Sequence, residues 1–464
     1  LDTSWLPTHQ DRPTLRARQI APDGRVTELQ VRELPAQVIS PTVQSERRRL
    51  IGTLPPPVAG TIIESELVRI DRAPLLAAGV TSWLGVAGPE PVVRKLITVS
   101  APTALKVKVI ARGPALTSPL RTTVVGDRTI VSLDLAAIAP VDPPIANPPP
   151  DHITTSIIGI ATGASWAAVA AGARAVVEAP LAGRLRAAPP LKVRDPRTTI
   201  ERTVAWLDAH VRPDGLAVDA GPLTPAAPAD TITRATANAR DRAALLVALL
   251  RSAGVTADLV LVVPAPGLAD PGLPGLAGDE QLLVRARAGR SELWIDPATA
   301  RRPVGVLPFA LRGRRALVLA KGTTQLTSTP AALAGASVVR EERTYRLAER
   351  GPGQLSVTYA QHGAWPSYLR DAIASTSPGV ARQAFAPIAT SVFGGQLAAF
   401  THGDPADLAV PFTLTLGIDR PASTGATGAE TWVSMRTAEV TAYVEEPLLT
   451  EPASAPAVAA GVSG

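Results

Sequence analysis

The stretch Ala237–Val262, ANARDRAALLVALLRSAGVTADLVLV, decides how the chain is read. Its alanine- and leucine-rich run predicts a helix that closes at Gly254, and the apolar run from Asp258 to Val263 predicts a buried strand. Asp241 falls in the opening turn, where the positive end of the helix favours a carboxylate. Nothing in that turn is reactive, because Ala239 carries no nucleophilic atom.

Working upstream, Asp195-Pro196 reads as a cap followed by proline in the first helical turn, with Ile200, Val204, Leu207 and Val211 at helical spacing behind it. Ile153–Ala173 is free of charge over about the length of a membrane span. Its glycines and hydroxyls predict instead a short strand, SIIGI, and a small helix after Ser165. Pro140–Pro150, PVDPPIANPPP, predicts a stiff extended linker. Before it the pattern is β: Leu105–Ala111 and Arg128–Leu135 alternate, and Thr61–Ile70 and Val92–Val99 supply further strands. Ala21-Pro22-Asp23-Gly24 is a turn that joins Leu15–Ile20 to Arg25–Val31 as a hairpin.

Downstream, Gln281–Arg287 and Glu292–Ile295 are strand-like. Beyond about Ser328 come strands at Arg343–Leu347, Gln354–Tyr359 and Phe412–Ile418, with helices at Ser367–Ile373 and Gly379–Ser391. The chain is thus multidomain α+β. Residues 1–140 are expected to form an antiparallel β-sandwich, 141–150 a linker, 151–325 a central α+β domain, 326–446 a C-terminal α+β domain and 447–464 a Pro/Ala-rich tail. At 464 residues, about three domains are the size expectation.

Composition narrows the chemistry. The chain has no cysteine, which removes thiolate catalysis, disulfides and thiolate metal sites. Its five histidines (His9, His152, His210, His362, His402) lack metal-ligand spacing, so neither a metal nor another cofactor is expected. The net charge of +6 is a mild excess over this length, and 3% aromatic residues supply no stacking platform, so nucleic acid is not an expected partner. No membrane span is expected either.

The central stretch resembles the core motif of bacterial transglutaminase-like domains, which reads in general form Gly-Asp-Cys-Lys-Asp-Lys-Ala, then a Leu-rich helix, Ala-Gly-Ile and a strand. Ala237 and Asn238 then stand for the glycine and aspartate, and Ala239 falls on the catalytic cysteine. Arg240, Asp241 and Arg242 keep the charges of Lys-Asp-Lys. SELWIDPATARRPVGVLP, from Ser291, resembles the family's Trp-Leu-Asp-Pro-Thr segment and places Asp296 on the third triad member. Gln281, to within one residue, takes the place of the histidine. Ala17–Arg72 resembles the β domain of unknown function that often precedes such domains in secreted bacterial proteins, and Gln354–Ala422 the strand–helix–helix–strand domain that often follows.

The resemblance implies a papain-like central fold whose nucleophile and base are both replaced. Loss of one triad member costs roughly four to six orders of magnitude in rate. The expectation is therefore a non-enzyme: a pseudo-transglutaminase acting as a protein- or peptide-binding or structural module. Its degenerate site is Ala239, Gln281 and Asp296, with Asn238 and Trp294 as further candidate binding residues. Family habit and a first residue other than methionine place it outside the cytoplasm, periplasmic or secreted. Two alternatives stay open. One is an enzyme of altered chemistry working through Thr236 and His210 or another site, and the other is an architectural subunit of a larger assembly. Trp206, Trp294 and Trp365 are read as core or domain-contact residues.

Overall fold

The computed structural model describes residues 1–434 except 8, 35–37, 41–42, 45–47, 117, 142–155, 184, 186–190, 215–222, 264–268, 279, 299, 332–334, 365 and 428. The linker beyond Val141, the tail and Trp365 lie outside the described residues. The molecule is multidomain and sheet-rich, and nearly all its sheets are antiparallel. One compact unit holds the described residues up to Ala332 except Arg301–Pro303, and a second holds those three and the described residues beyond.

The first unit opens with eight strands: β1 (Asp2–Trp5), β2 (Thr14–Ile20), β3 (Val26–Glu28), β4 (Gln30–Leu34), β5 (Val38–Ser40), β6 (Val43–Gln44), β7 (Arg48–Thr53) and β8 (Ile62–Val68). They form the sheets β1-β7-β4 and β3-β2-β8 and the β5-β6 hairpin. The turn at Ala21–Gly24 is present, with Gly24 in the left-handed region at φ 82°. The strand after it stops at Glu28, and the chain then crosses into another sheet as β4. The expected continuous strand to Val31 is therefore split between two sheets.

Next come β9 (Thr81–Gly85), β10 (Val92–Pro102), β11 (Lys108–Arg112), β12 (Arg121–Val125) and β13 (Arg128–Ile138). Alternation does its expected work in β13, where Val131, Leu133 and Leu135 are buried in turn. The strand expected from Leu105 starts only at Lys108, because Thr103–Leu105 is a 3₁₀ turn closed by Lys106 at φ 51°. The sheets β10-β13-β12 and β11-β14-β9 share a core of Val86, Leu133, Leu135, Ile138 and Ile158. Here β14 is Ile157–Ala161, the strand read as the start of the central domain. It lies between β9 and β11, with Gly159 opposite Trp83 and Ile110, so backbone pairing crosses the expected boundary at 141–151.

The rest of the first unit is helical before it is β. Its elements are α1 (Trp166–Glu178), α2 (Pro196–His210), β15 (Arg212–Pro213), α3 (Pro228–Arg234), β16 (Thr236–Ala237), α4 (Ala239–Ser252), β17 (Ala257–Val262), β18 (Gln281–Ala288), β19 (Ser291–Ile295), β20 (Arg315–Val318) and β21 (Thr327–Ser328). Asp195 caps α2 as expected, and α1 follows Ser165, whose side chain caps it. A five-stranded antiparallel sheet runs β19-β18-β17-β20-β21. α4 lies buried against its face, and Leu245, Leu246, Leu249 and Leu250 share one core with Leu259 and Leu261 of β17, Leu282 and Val284 of β18, and Ile200 and Leu207 of α2. A separate core on the opposite face gathers Val260, Val262, Leu283, Trp294, Leu307 and Leu311. No helix among the described residues is long and apolar enough to cross a membrane.

The second unit contains β22 (Val339–Arg346), β23 (Gln354–Gln361), α5 (Pro366–Ala374), α6 (Pro378–Ser391), β24 (Gln396–His402), β25 (Phe412–Asp419), β26 (Thr424–Ala426) and β27 (Thr431–Val433). The sheet order is β22-β23-β25-β24, with β26-β27 as a separate hairpin. Val357, Tyr359, Phe412 and Leu416 pack with Ile373 and Phe393, which gives the expected strand–helix–helix–strand order a core of its own.

Candidate functional site

The first turn of α4 carries a side-chain cap followed by three buried charged residues. Asn238 holds extended backbone, and its side chain accepts the Asp241 N–H at 2.9 Å, capping the helix. Ala239 follows, half-buried and inert. The three charged residues after it are buried, which is costly for each unless partners are supplied. Asp241 accepts the Ala226 N–H at 2.8 Å and an Arg234 N–H at 3.0 Å. Arg242 has no exposed side-chain surface. Its Nε donates to the Pro297 carbonyl at 2.7 Å, one Nη to Asp208 Oδ1 at 2.6 Å, and the other Nη to the Val211 carbonyl. One guanidinium thus ties α2, α4 and the segment after β19 together.

Arg240 faces the carboxylates of Asp241 and Glu280. Burial draws its guanidinium below the ordinary arginine value, and the two carboxylates oppose that shift. Glu280 is itself buried. Its two oxygens accept the Ala277 N–H at 2.6 Å and the Gly278 N–H at 2.8 Å, and it lines a cleft with Thr81, Trp166, Leu261, Leu276 and Leu317.

Strand register separates the candidate residues. Leu261 pairs with Leu282 and Leu259 with Val284 on the face that carries α4. Val262 pairs with Gln281 and Val260 with Leu283 on the other face, where Trp294 also lies. Gln281 and Trp294 therefore point away from Ala239, a correction to the expectation that they line one site with it. The reason is the two-residue period of a strand: an alignment error of one residue moves a side chain through the sheet. Glu280, on the α4 side, falls within the one-residue tolerance of that alignment. The sequence carries no signal that decides it, since Leu282 and Leu283 are both apolar and buried on opposite faces.

Asp296 is buried and accepts the Ala298 N–H at 2.9 Å. The next residue, Pro297, gives its carbonyl to Arg242 of α4. Asn238 and Ala239 open the first turn of that helix, Glu280 acts on Arg240 within it, and Asp296 precedes the proline whose carbonyl Arg242 holds. Thr236 and His210 are engaged elsewhere. The threonine hydroxyl reaches the Arg234 carbonyl at 3.5 Å, while His210 Nδ1 lies 2.8 Å from the Trp206 carbonyl and its ring stacks on Trp206 at 4.3 Å. Among the described residues no three His, Asp or Glu side chains form a metal-binding group.

Comparison with known proteins gives two findings. Residues 1–142 match DUF3857, a domain of unknown function with a solved structure. The chain is similar in fold to the crystal structure of a "putative protease" from Parabacteroides distasonis, with a TM-score of 0.56 over 91% of this chain and 85% of that one at 11% identity. None of the curated proteins matches.

Proposed function

We propose that this chain is a catalytically inactive transglutaminase-like protein that works as a protein- or peptide-binding or structural module. The carrying observation is Ala239 at the start of the buried helix α4. A helix start favours a thiolate there, and the adjoining cation Arg240 adds to that field. A methyl group uses neither. Beside it a carboxylate, Glu280, takes the position of the proton-transferring imidazole and is occupied by two backbone N–H groups and the charge of Arg240. The orienting carboxylate is retained as Asp296. The fold similarity to the Parabacteroides protein supports this reading at the level of fold. The proposed location, periplasmic or secreted, rests on the proteins the chain resembles, and fractionation of the native host is its test.

Activity tests this proposal directly. Incubated with a glutamine-containing peptide and a primary amine, the unmodified chain is expected to give product at the uncatalysed rate. Ala239→Cys with Glu280→His is expected to gain measurable acyl transfer, whereas Ala239→Cys with Gln281→His is not. Transfer by the unmodified chain would overturn the inactive reading.

A further inference from the structure

Strand β8 ends the sheet β3-β2-β8, and among the described residues it pairs only with β2. All seven of its residues are exposed, with Ile62, Ile63, Leu67 and Val68 at 58%, 48%, 45% and 42%. Folded proteins blunt such edges with proline, lysine, bulges or short strands, because an open row of N–H and C=O groups recruits another strand. β8 contains no proline or lysine, and its register with β2 is unbroken from Ile62 to Val68.

Its sequence, Ile-Ile-Glu-Ser-Glu-Leu-Val, is nearly symmetric about Ser65. An antiparallel second copy centred on Ser65 sets Ile62 against Val68 and Ile63 against Leu67. Both contacts join aliphatic side chains, one pair on each face of the sheet, the kind of cross-strand pair that stabilises sheets. Glu64 then faces Glu66 of the second copy, a repulsive pair. Each glutamate is already neutralised within its own chain, by Arg18 and Arg16 respectively. Another fully exposed edge, the five-residue β12, fails this test, because symmetry about Thr123 would set Arg121 against Val125.

We propose that two copies of this chain associate through β8, antiparallel about Ser65, to make one continuous six-stranded sheet. The occupant of the edge is a second copy because the edge is complementary to itself.

The absence of cysteine makes the test direct. Ser65→Cys introduces one thiol on the proposed two-fold axis, where paired strands bring Cα atoms within disulfide range. Thr123→Cys places one thiol at the centre of β12. Under mild oxidation of the full chain, Ser65→Cys is expected to form covalent dimer at least tenfold faster than Thr123→Cys. Sedimentation of the unmodified chain should show a dimer fraction rising with concentration. Ile63→Lys with Leu67→Lys should weaken that association at least tenfold, with an unchanged circular dichroism spectrum. Equal cross-linking by the two cysteine variants, or a monomer at every concentration, would overturn the proposal.

Discussion

Arg242 shows how much of the centre depends on single side chains. A buried cation is tolerable only when every N–H has a partner, and this one bonds Asp208 and the carbonyls of Val211 and Pro297. Arg242→Met leaves Asp208 and two carbonyls without that donor and is expected to destabilise the unit by about 3–5 kcal/mol in denaturant unfolding. Arg242→Met with Asp208→Leu should recover part of the loss. At this scale the sequence was only partly legible. Ala239 and Asp296 were found from motif spacing, and Asp241 from its place in the first turn. The burial of all three charges after Ala239 was not, because an Arg-Asp-Arg run looks the same on a solvated face. Which of Glu280 and Gln281 faces α4 is not legible in Glu-Gln-Leu-Leu-Val, because the apolar residues Leu282 and Leu283 fall on both faces of β18.

Helices were the most legible elements, since caps and apolar period agree. Asn238→Ala removes the oxygen that accepts the Asp241 N–H and is expected to cost about 1 kcal/mol, measurable as a lower unfolding midpoint. The cap of α2 makes a prediction in pH. Hydrogen bonds from the Thr198 hydroxyl and N–H hold the Asp195 carboxyl below its ordinary value. With the folded value the lower one, the stabilisation is complete above the unfolded value and is lost as pH falls through the folded value. A carboxyl NMR titration should show this for Asp195, and Thr198→Ala should move its midpoint upward. Strand limits were less legible than helix limits. Alternation marks which residues face inward, but not where a left-handed residue such as Lys106 delays the start. Nor does it show that Leu29, packed over Gly52, divides one apparent strand between two sheets.

For the whole molecule, the expected boundary after the proline-rich segment followed composition, and the pairing of β14 did not. Ile158 is fully buried in the core of the N-terminal sheets. The segment before β18 is stitched to the same region: Thr81 N–H donates to the Leu276 carbonyl at 2.9 Å, and a methyl at Gly275 would run into the Val80 carbonyl. A fragment beginning at residue 151 therefore loses both neighbours of β14 and is expected to melt without a cooperative transition, whereas the chain from residue 1 melts cooperatively. Calorimetry of the two distinguishes these outcomes. Domain-sharing of this kind leaves little trace in single-sequence patterns, because it depends on which distant segment arrives.

The position of β14 also sets an order of events during synthesis. β9 and β11 flank it on either side and do not pair with each other, so they must wait for a strand that emerges from the ribosome only after residue 161. Until then the nascent chain displays two unfinished margins and an unfilled place for Ile158. A pause in synthesis before that point would prolong the exposure of the chain to unwanted partners.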